Sequence, residues 1–335
     1  MALPAAMAVA GGAAGASQSG GAPIGAAFLG ASYSHADPKI KLISSSPLFA
    51  LKGVWDEEEP VRRKLAARGL PIVEPEKFLR DPAVEVVIVE SDVPDHQRHA
   101  RMALEAGKHV HVEKPPATDI SSFRELVDLA LRKKLHLQQG YMWRCHPGFL
   151  ELHKQAKSGA IGDIYMVTAV MEKTLDASRR PSWARFRGGQ MFEQCSHLID
   201  QMVRLMGRPD RITAFLRKDG RFPDNLTDNT AAVFEFPGAL GIVRGSALNP
   251  DGNRQRSFTV NGTLGTLTLD PIEPGSLWIE VNKQPRRRIE TPKYVRFVDD
   301  FNELAIAIRE DKPLPVTPAE ELIVQECVIE ASGMK

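Results

Sequence analysis

Two stretches of this sequence carry residue types that, at their spacing, could do acid–base chemistry. Glu113-Lys114-Pro115 follows the run Gly107-Lys108-His109-Val110-His111-Val112. A lysine at the carboxyl end of a buried parallel strand points into the crevice where such sheets bind ligands. Partial desolvation there makes its proton easier to remove or share. The second stretch runs from Gly188-Gly189 through Glu193 and His197 to Asp200. If Met191–Met206 is one helix, Glu193, His197 and Asp200 fall at i, i+4 and i+7 on one face. A carboxylate four residues from an imidazole can orient it and raise its basicity, which suits a general base near neutral pH. The spacing is also that of a solvated charged face, or of a Glu/His/Asp metal site with no evident fourth ligand. The acid–base reading is carried forward, and no metal is expected.

A third element would hold a nucleotide. The apolar run Ile24–Leu29 ends in Gly30-Ala31-Ser32-Tyr33-Ser34-His35, where a doubly wound fold receives a pyrophosphate. Gly30, Ser32, Ser34 and His35 are the expected contacts. Asp56 closes the strand-like FALKGVW run, where an acid can accept both ribose hydroxyls of NAD and repel the 2′-phosphate of NADP. In isolation it could equally cap a helix. Arg144, Trp183, Arg185 and Arg187 lie near these motifs and are candidate contacts to a polyhydroxylated or anionic substrate.

Positioning these residues takes two domains. The chain has 335 residues, enough for two sizeable cores, and 43 Lys+Arg against 42 Asp+Glu. A net charge of +1 argues against a nucleic-acid binder that works by field strength. Cys145, Cys195 and Cys327 form no disulfide or zinc pattern. No apolar run is long enough to span a membrane. Residues 1–34 contain no charged side chain. Residues 1–22 read as an Ala/Gly-rich leader or the remnant of an export signal. The compartment expected is therefore cytoplasmic, or periplasmic if the leader is such a remnant.

From Ile24 strands alternate with helices, as in a doubly wound parallel sheet. Val84–Val89, Lys108–Glu113 and His136–Met142 read as strands, and Asp119 caps a helix over 120–134. After about Gly148, strand-like runs from Arg211 to Gln284 are separated by short turns, which favours a largely antiparallel sheet. The division expected is 23–147 for the dinucleotide-binding domain and 148–335 for an α+β domain. An open sheet face in the latter would be covered by a partner subunit.

These segments resemble the Gfo/Idh/MocA family of nicotinamide-dependent, mostly sugar-directed oxidoreductases. The likeness rests on Ala103–Val110 running into Glu113-Lys114-Pro115, on Tyr141–Pro147, on Gly159-Ala160-Ile161-Gly162, and on Gly188-Gly189 through His197 and Asp200. It covers nearly the whole chain after the leader. The resemblance implies a Rossmann domain holding NAD, and dimers or tetramers. It implies Lys114 and His197 as catalytic groups, Glu193 in place of the family's aspartate, and Glu113, Ser91 and His96 near the cofactor. Asp200 would lie by the substrate. Ser32 replaces a fingerprint glycine and Asp92 a family proline, so the phosphate turn departs from the pattern. The expectation is reversible hydride transfer between NAD and a secondary alcohol of a sugar or cyclitol, with Glu193 holding the imidazole. Rival expectations are a glycosidase that keeps NAD bound and cleaves through transient oxidation, and a non-catalytic sensor of the same fold.

Overall fold

The computed structural model describes residues 21–334, so the expected leader at 1–22 lies almost wholly outside the described residues. The first unit runs β1 (Ile24–Leu29), α1 (Ala36–Ser45), β2 (Phe49–Trp55), α2 (Glu59–Ala67), α3 (Pro75–Arg80), β3 (Val86–Val89), α4 (Val93–Glu105), β4 (His109–Val112), α5 (Ile120–Lys133) and β5 (Leu137–Gln139). Its five strands are all parallel in the order β2-β1-β3-β4-β5. Every residue of β1 and β3 is buried, as continuous apolar runs covered by helices on both faces should be. Ile72 makes a single parallel bridge to Val54 on the outer side of β2. A further strand of the doubly wound sheet is thus reduced to one residue pair. The order reverses between β1 and β3, and their carboxyl ends flank the crevice such sheets use for ligands.

Local signals set the element ends. The Asp119 carboxylate accepts the Ser122 N–H at 2.8 Å to start α5, whose Phe123, Leu126, Val127 and Ala130 face inward at helical spacing. β5 is shorter than the sequence predicts. At Gly140 the chain passes so close to Glu113 that a Cβ would lie 3.0 Å from the Glu113 carboxylate. It then turns through a 3₁₀ segment, Met142–Cys145.

The second unit contains α6 (Pro147–Lys157), β6 (Ile164–Glu172), α7 (Arg180–Ala184), α8 (Ser196–Met206), β7 (Arg211–Arg217), β8 (Asn229–Phe236), β9 (Ala239–Ser246), β10 (Arg256–Gly262), β11 (Gly265–Leu269), β12 (Leu277–Val281) and β13 (Arg287–Ile289), then α9 (Val298–Glu310) and α10 (Pro318–Ala331). Its strands lie in the order β13-β12-β11-β10-β6-β9-β8-β7, antiparallel except for the β6–β9 pair. Burial alternates along β8, β9 and β10, so one face packs under the helices and the other is open. Leu240 and Phe215 stand exposed on the open side.

One expectation needs correction here. Met191–Met206 is not one α-helix: Met191–Cys195 forms a π-turn before α8 begins. The wider i→i+5 turn rotates Glu193 off the i, i+4 line to His197. Packing also crosses the expected division at 147/148. Phe301 of α9 packs edge-on against Phe49 at 5.9 Å and over His111 at 4.8 Å, while Gln325 of α10 donates to the Ala117 carbonyl at 2.8 Å. Both C-terminal helices therefore complete the core of the first unit.

Asp300 on α9 is buried, and one of its carboxylate oxygens has no hydrogen-bond partner. Burial, with the nearby Glu303 charge, pushes its carboxyl up to about 8. The folded chain holds this proton more tightly than the unfolded chain, so stability is full below the unfolded value and is lost as pH rises toward 8. Melting curves from pH 5 to 9 should show Asp300→Asn gaining at least about 3 °C on the wild type at the alkaline end. A constant offset between the two proteins would contradict this.

Candidate active site

Gly30 closes β1 at φ 88°, and a Cβ there would lie 2.3 Å from the Ser91 nitrogen, so only glycine lets the two strand ends approach. Asp56 shapes the turn. Its carboxylate accepts the Ala31 N–H at 2.7 Å and the Glu58 N–H at 2.9 Å. It is buried and caps neither neighbouring helix. Ser32 and Ser34 are exposed. His35 stands at the N-cap of α1, whose first turn has no side-chain cap. The Ser91 hydroxyl is buried against Gly30 without a partner. Small exposed side chains and an orphaned hydroxyl fit the phosphates of a dinucleotide, while the first turn of α1 offers only the Asp37 N–H, because the Ala36 N–H donates to the Tyr33 carbonyl and Pro38 has none.

Beneath the turn lies a buried charge cluster that sequence reasoning missed. Lys39 of α1 donates to Glu90 and Glu113 and lies 2.9 Å from His111 Nε2. Burial alone would lower this amine, but Glu113 and Glu90 outweigh burial and hold it above its ordinary value. Burial raises Glu90, whereas Lys39 and His35 overcome burial and hold Glu113 well down. Glu90, His111 and Glu113 are spaced to gather a metal, but the Lys39 ammonium already bonds to all three. Glu113 is wholly buried between Lys39 and His35, whose Nδ1 lies 3.2 Å from its carboxylate, so it sits beneath the turn. His96 is wholly buried as well. Its ring nitrogens lie 2.8 and 2.9 Å from the Pro115 and Ser91 carbonyls, so it clamps two strand ends.

Lys114 is wholly buried. Its Nζ donates to the Tyr33 hydroxyl at 2.6 Å and to the Glu193 main-chain carbonyl at 2.7 Å, with the Glu193 carboxylate at 3.8 Å. The Tyr33 hydroxyl donates to that carboxylate at 3.2 Å. One amine thus joins the nucleotide turn, the end of β4 and the π-turn of the second unit. Burial raises Glu193 above its ordinary value against the pull of Lys114. Among the described residues, Glu193 makes no bond to His197, so its expected role of orienting that ring is replaced by alignment of Tyr33 and Lys114. His197 sits at the start of α8 between the rings of Trp143 (5.1 Å) and Tyr141 (5.8 Å), and its Nδ1 is buried without a partner. Burial, then the Lys114 charge, pushes it well below its ordinary value, so the imidazole is neutral near pH 7.

The remaining substrate candidates have protein partners of their own. Arg144 and Asp200 pair with each other, and Arg144 also with Glu321, in a buried triad. Trp183 packs in a small apolar cluster with Leu175, Leu226 and Ala247. Arg185 pairs with Asp92 at the surface, and exposed Arg187 lies beside Gly333. Tyr33 and Trp143 are the site residues the sequence left unmarked. The only signals were an aromatic in the middle of the phosphate turn and the Tyr141–Pro147 segment.

Residues 24–141 match the family model described as oxidoreductase family, NAD-binding Rossmann fold, and residues 149–268 match the GFO/IDH/MocA C-terminal domain. The chain belongs to the Gfo/Idh/MocA family of NAD-binding oxidoreductases. It is 32% identical over 238 residues to the oxidoreductase YhhX of Escherichia coli, covering 70% of this chain and 68% of that one. It is 27% identical over 202 residues to the trans-1,2-dihydrobenzene-1,2-diol dehydrogenase of Oryctolagus cuniculus, a match spanning 59% of each protein. In fold it is similar to a levoglucosan dehydrogenase solved with NADH and levoglucosan, with a TM-score of 0.78 at 18% identity, covering 93% of this chain and 97% of that one. No helix among the described residues is long and apolar enough to cross a membrane.

Proposed function

We propose that this protein transfers hydride between NAD and a secondary alcohol of a sugar or cyclitol. One observation carries the reading: the Lys114 amine, at the rim of the parallel sheet, bonds the main chain of the very turn that presents His197. Relatives that act on a carbohydrate and on a cyclic diol support a polyol as substrate.

The turn from Gly30 to His35 would hold the cofactor's phosphates, and Asp56 its ribose hydroxyls in preference to a 2′-phosphate. NAD, when bound, supplies the acceptor or donor of hydride. The substrate hydroxyl takes the place of Tyr33 on Nζ, because Tyr33 is a half-buried loop residue and the Glu193 carbonyl is fixed in the main chain. The ammonium then stabilises the alkoxide as its charge develops. The neutral His197 offers a lone pair to the departing proton. Trp143 and Tyr141 exclude water around the ring. Copies of the chain pair through the open sheet face around Leu240 and Phe215, as a dimer or tetramer; sedimentation as a monomer would contradict that pairing.

The experiment is to identify the nucleotide released from denatured protein and to screen sugars and cyclitols for NADH formation. The expected result is bound NAD(H), at least about tenfold preferred over NADP(H), and NADH production dependent on one polyol class. Absence of nucleotide binding would favour a sensor, and sugar release without net NADH would mark the glycosidase; either would overturn the proposal.

A further inference from the structure

We propose that Lys173 and Arg256 form a subsite for an anionic group, a carboxylate or a phosphate, carried by the substrate away from its reacting carbon. The inference rests on the dehydrogenase reading above and names the substrate class within it.

Strand parity places both side chains on one face. Along β10, Phe258 and Val260 point to the helix-covered side, and Arg256 precedes them with the same parity. Along β6, Val167, Ala169 and Met171 point to that side. Lys173 continues the alternation one residue beyond the strand, with its N–H bonded to the Ser246 carbonyl at 2.8 Å. Arg256 lies opposite Met171 in the antiparallel register, so Arg256 and Lys173 are diagonal neighbours.

Neither cation is matched. Among the described residues no carboxylate pairs with either. The Arg256 guanidinium reaches only the Asn253 amide oxygen, at 3.2 Å, and its Nε is buried without a partner. Burial lowers both groups, and the charges of Arg256, Arg179 and Arg296 lower Lys173 further. Arg179 and Arg296 are exposed at the rim. Glu273, the acid that bears on Arg256, is occupied by Arg296 Nε at 2.7 Å and Trp143 Nε1 at 2.8 Å. Half-buried like charges without a counter-ion work against stability, and such arrangements mark sites built for a ligand of opposite sign.

The cluster adjoins the reacting groups. Phe258 packs on Phe149 at 5.3 Å, Phe149 on Trp143 at 5.7 Å, and Trp143 on His197 at 5.1 Å. The Arg256 charge also bears on His197 itself. Trp143 also donates to Glu273, whose charge bears on Arg256, so the unmatched cations lie on the Trp143 side of His197, and the substrate's anion would reach them from there.

The test compares D-glucose, D-glucuronate and D-glucose 6-phosphate as substrates with NAD. In parallel, each compound's thermal shift is measured on NADH-loaded protein, for the wild type, Arg256→Gln and Lys173→Gln. NADH binding at wild-type affinity shows that each variant is folded. We expect kcat/KM for one of the two anions to exceed that for glucose at least tenfold, mostly through KM, and the advantage to shrink with salt. Whichever anion is preferred identifies the group, and each substitution should cut the preference about tenfold. Equal use of glucose and both anions, or a preference that survives both substitutions, overturns the subsite. If no sugar is oxidised, the dehydrogenase reading fails separately. The thermal shifts then decide: an anion-dependent shift lost in Arg256→Gln supports the subsite, and no shift with either anion overturns it.

Discussion

Lys114→Met is expected to lower kcat about 10³-fold while the dissociation constant for NADH changes less than about threefold. Among the described residues the amine is the cation positioned where alkoxide charge would develop, and removing a single preorganised donor from a water-excluded site costs roughly 10²–10³ in rate. Methionine keeps the volume of the buried side chain, so the fold is retained. The nucleotide turn is separately held by Asp56 and Gly30, so cofactor binding is expected to survive. Steady-state kinetics together with a fluorescence titration of NADH read both quantities. A variant that binds NADH normally and keeps wild-type turnover would remove Lys114 from the chemistry.

The largest stability effect is expected at Arg144, which sequence reasoning placed beside the substrate. Its Nη1 donates to Glu321 at 2.6 Å, its Nη2 to Asp200 at 2.7 Å, and its Nε to Asp200 at 2.9 Å. The triad ties the 3₁₀ segment after β5 to α8 and α10. Arg144→Met leaves two buried carboxylates facing one another without a counter-ion. Removing one partner of such a group costs about 3–5 kcal/mol, which lowers Tm by roughly 10 °C. Adding Asp200→Asn and Glu321→Gln should restore much of the loss, because the uncompensated charges go with them. Thermal melts of the single and triple variants check this. An unchanged Tm in Arg144→Met would mean the triad carries no stability and return Arg144 to the substrate candidates.

The fold was legible where burial on both faces imposes continuous apolar runs, as in VVIV of β3, and where alternation marks a half-buried strand, as in NTAAVFEF of β8. The place of Lys114 just past the end of β4, and of His197 on a helix, was legible because local residues set both. What failed was anything set by a contact between distant segments. The π-turn at Met191–Cys195 leaves no mark in the spacing of apolar residues, yet it redirects Glu193 from His197 to Tyr33. Lys39 reads as a solvated helix lysine until Glu90 and Glu113, more than fifty residues away, close around it. Arg144 and Trp183 were assigned by proximity in sequence, but a buried carboxylate pair and an apolar pocket claim them. Tyr33 was passed over because its value lies in reaching Lys114, 81 positions further on.

The most direct measurement is a crystal structure of the protein with NADH and a polyol found in the substrate screen. The expected density shows one polyol hydroxyl within about 3.2 Å of Lys114 Nζ, in place of the Tyr33 hydroxyl on that amine, and within the same reach of a His197 ring nitrogen. A polyol seated beside the nicotinamide but out of reach of both nitrogens would contradict the account.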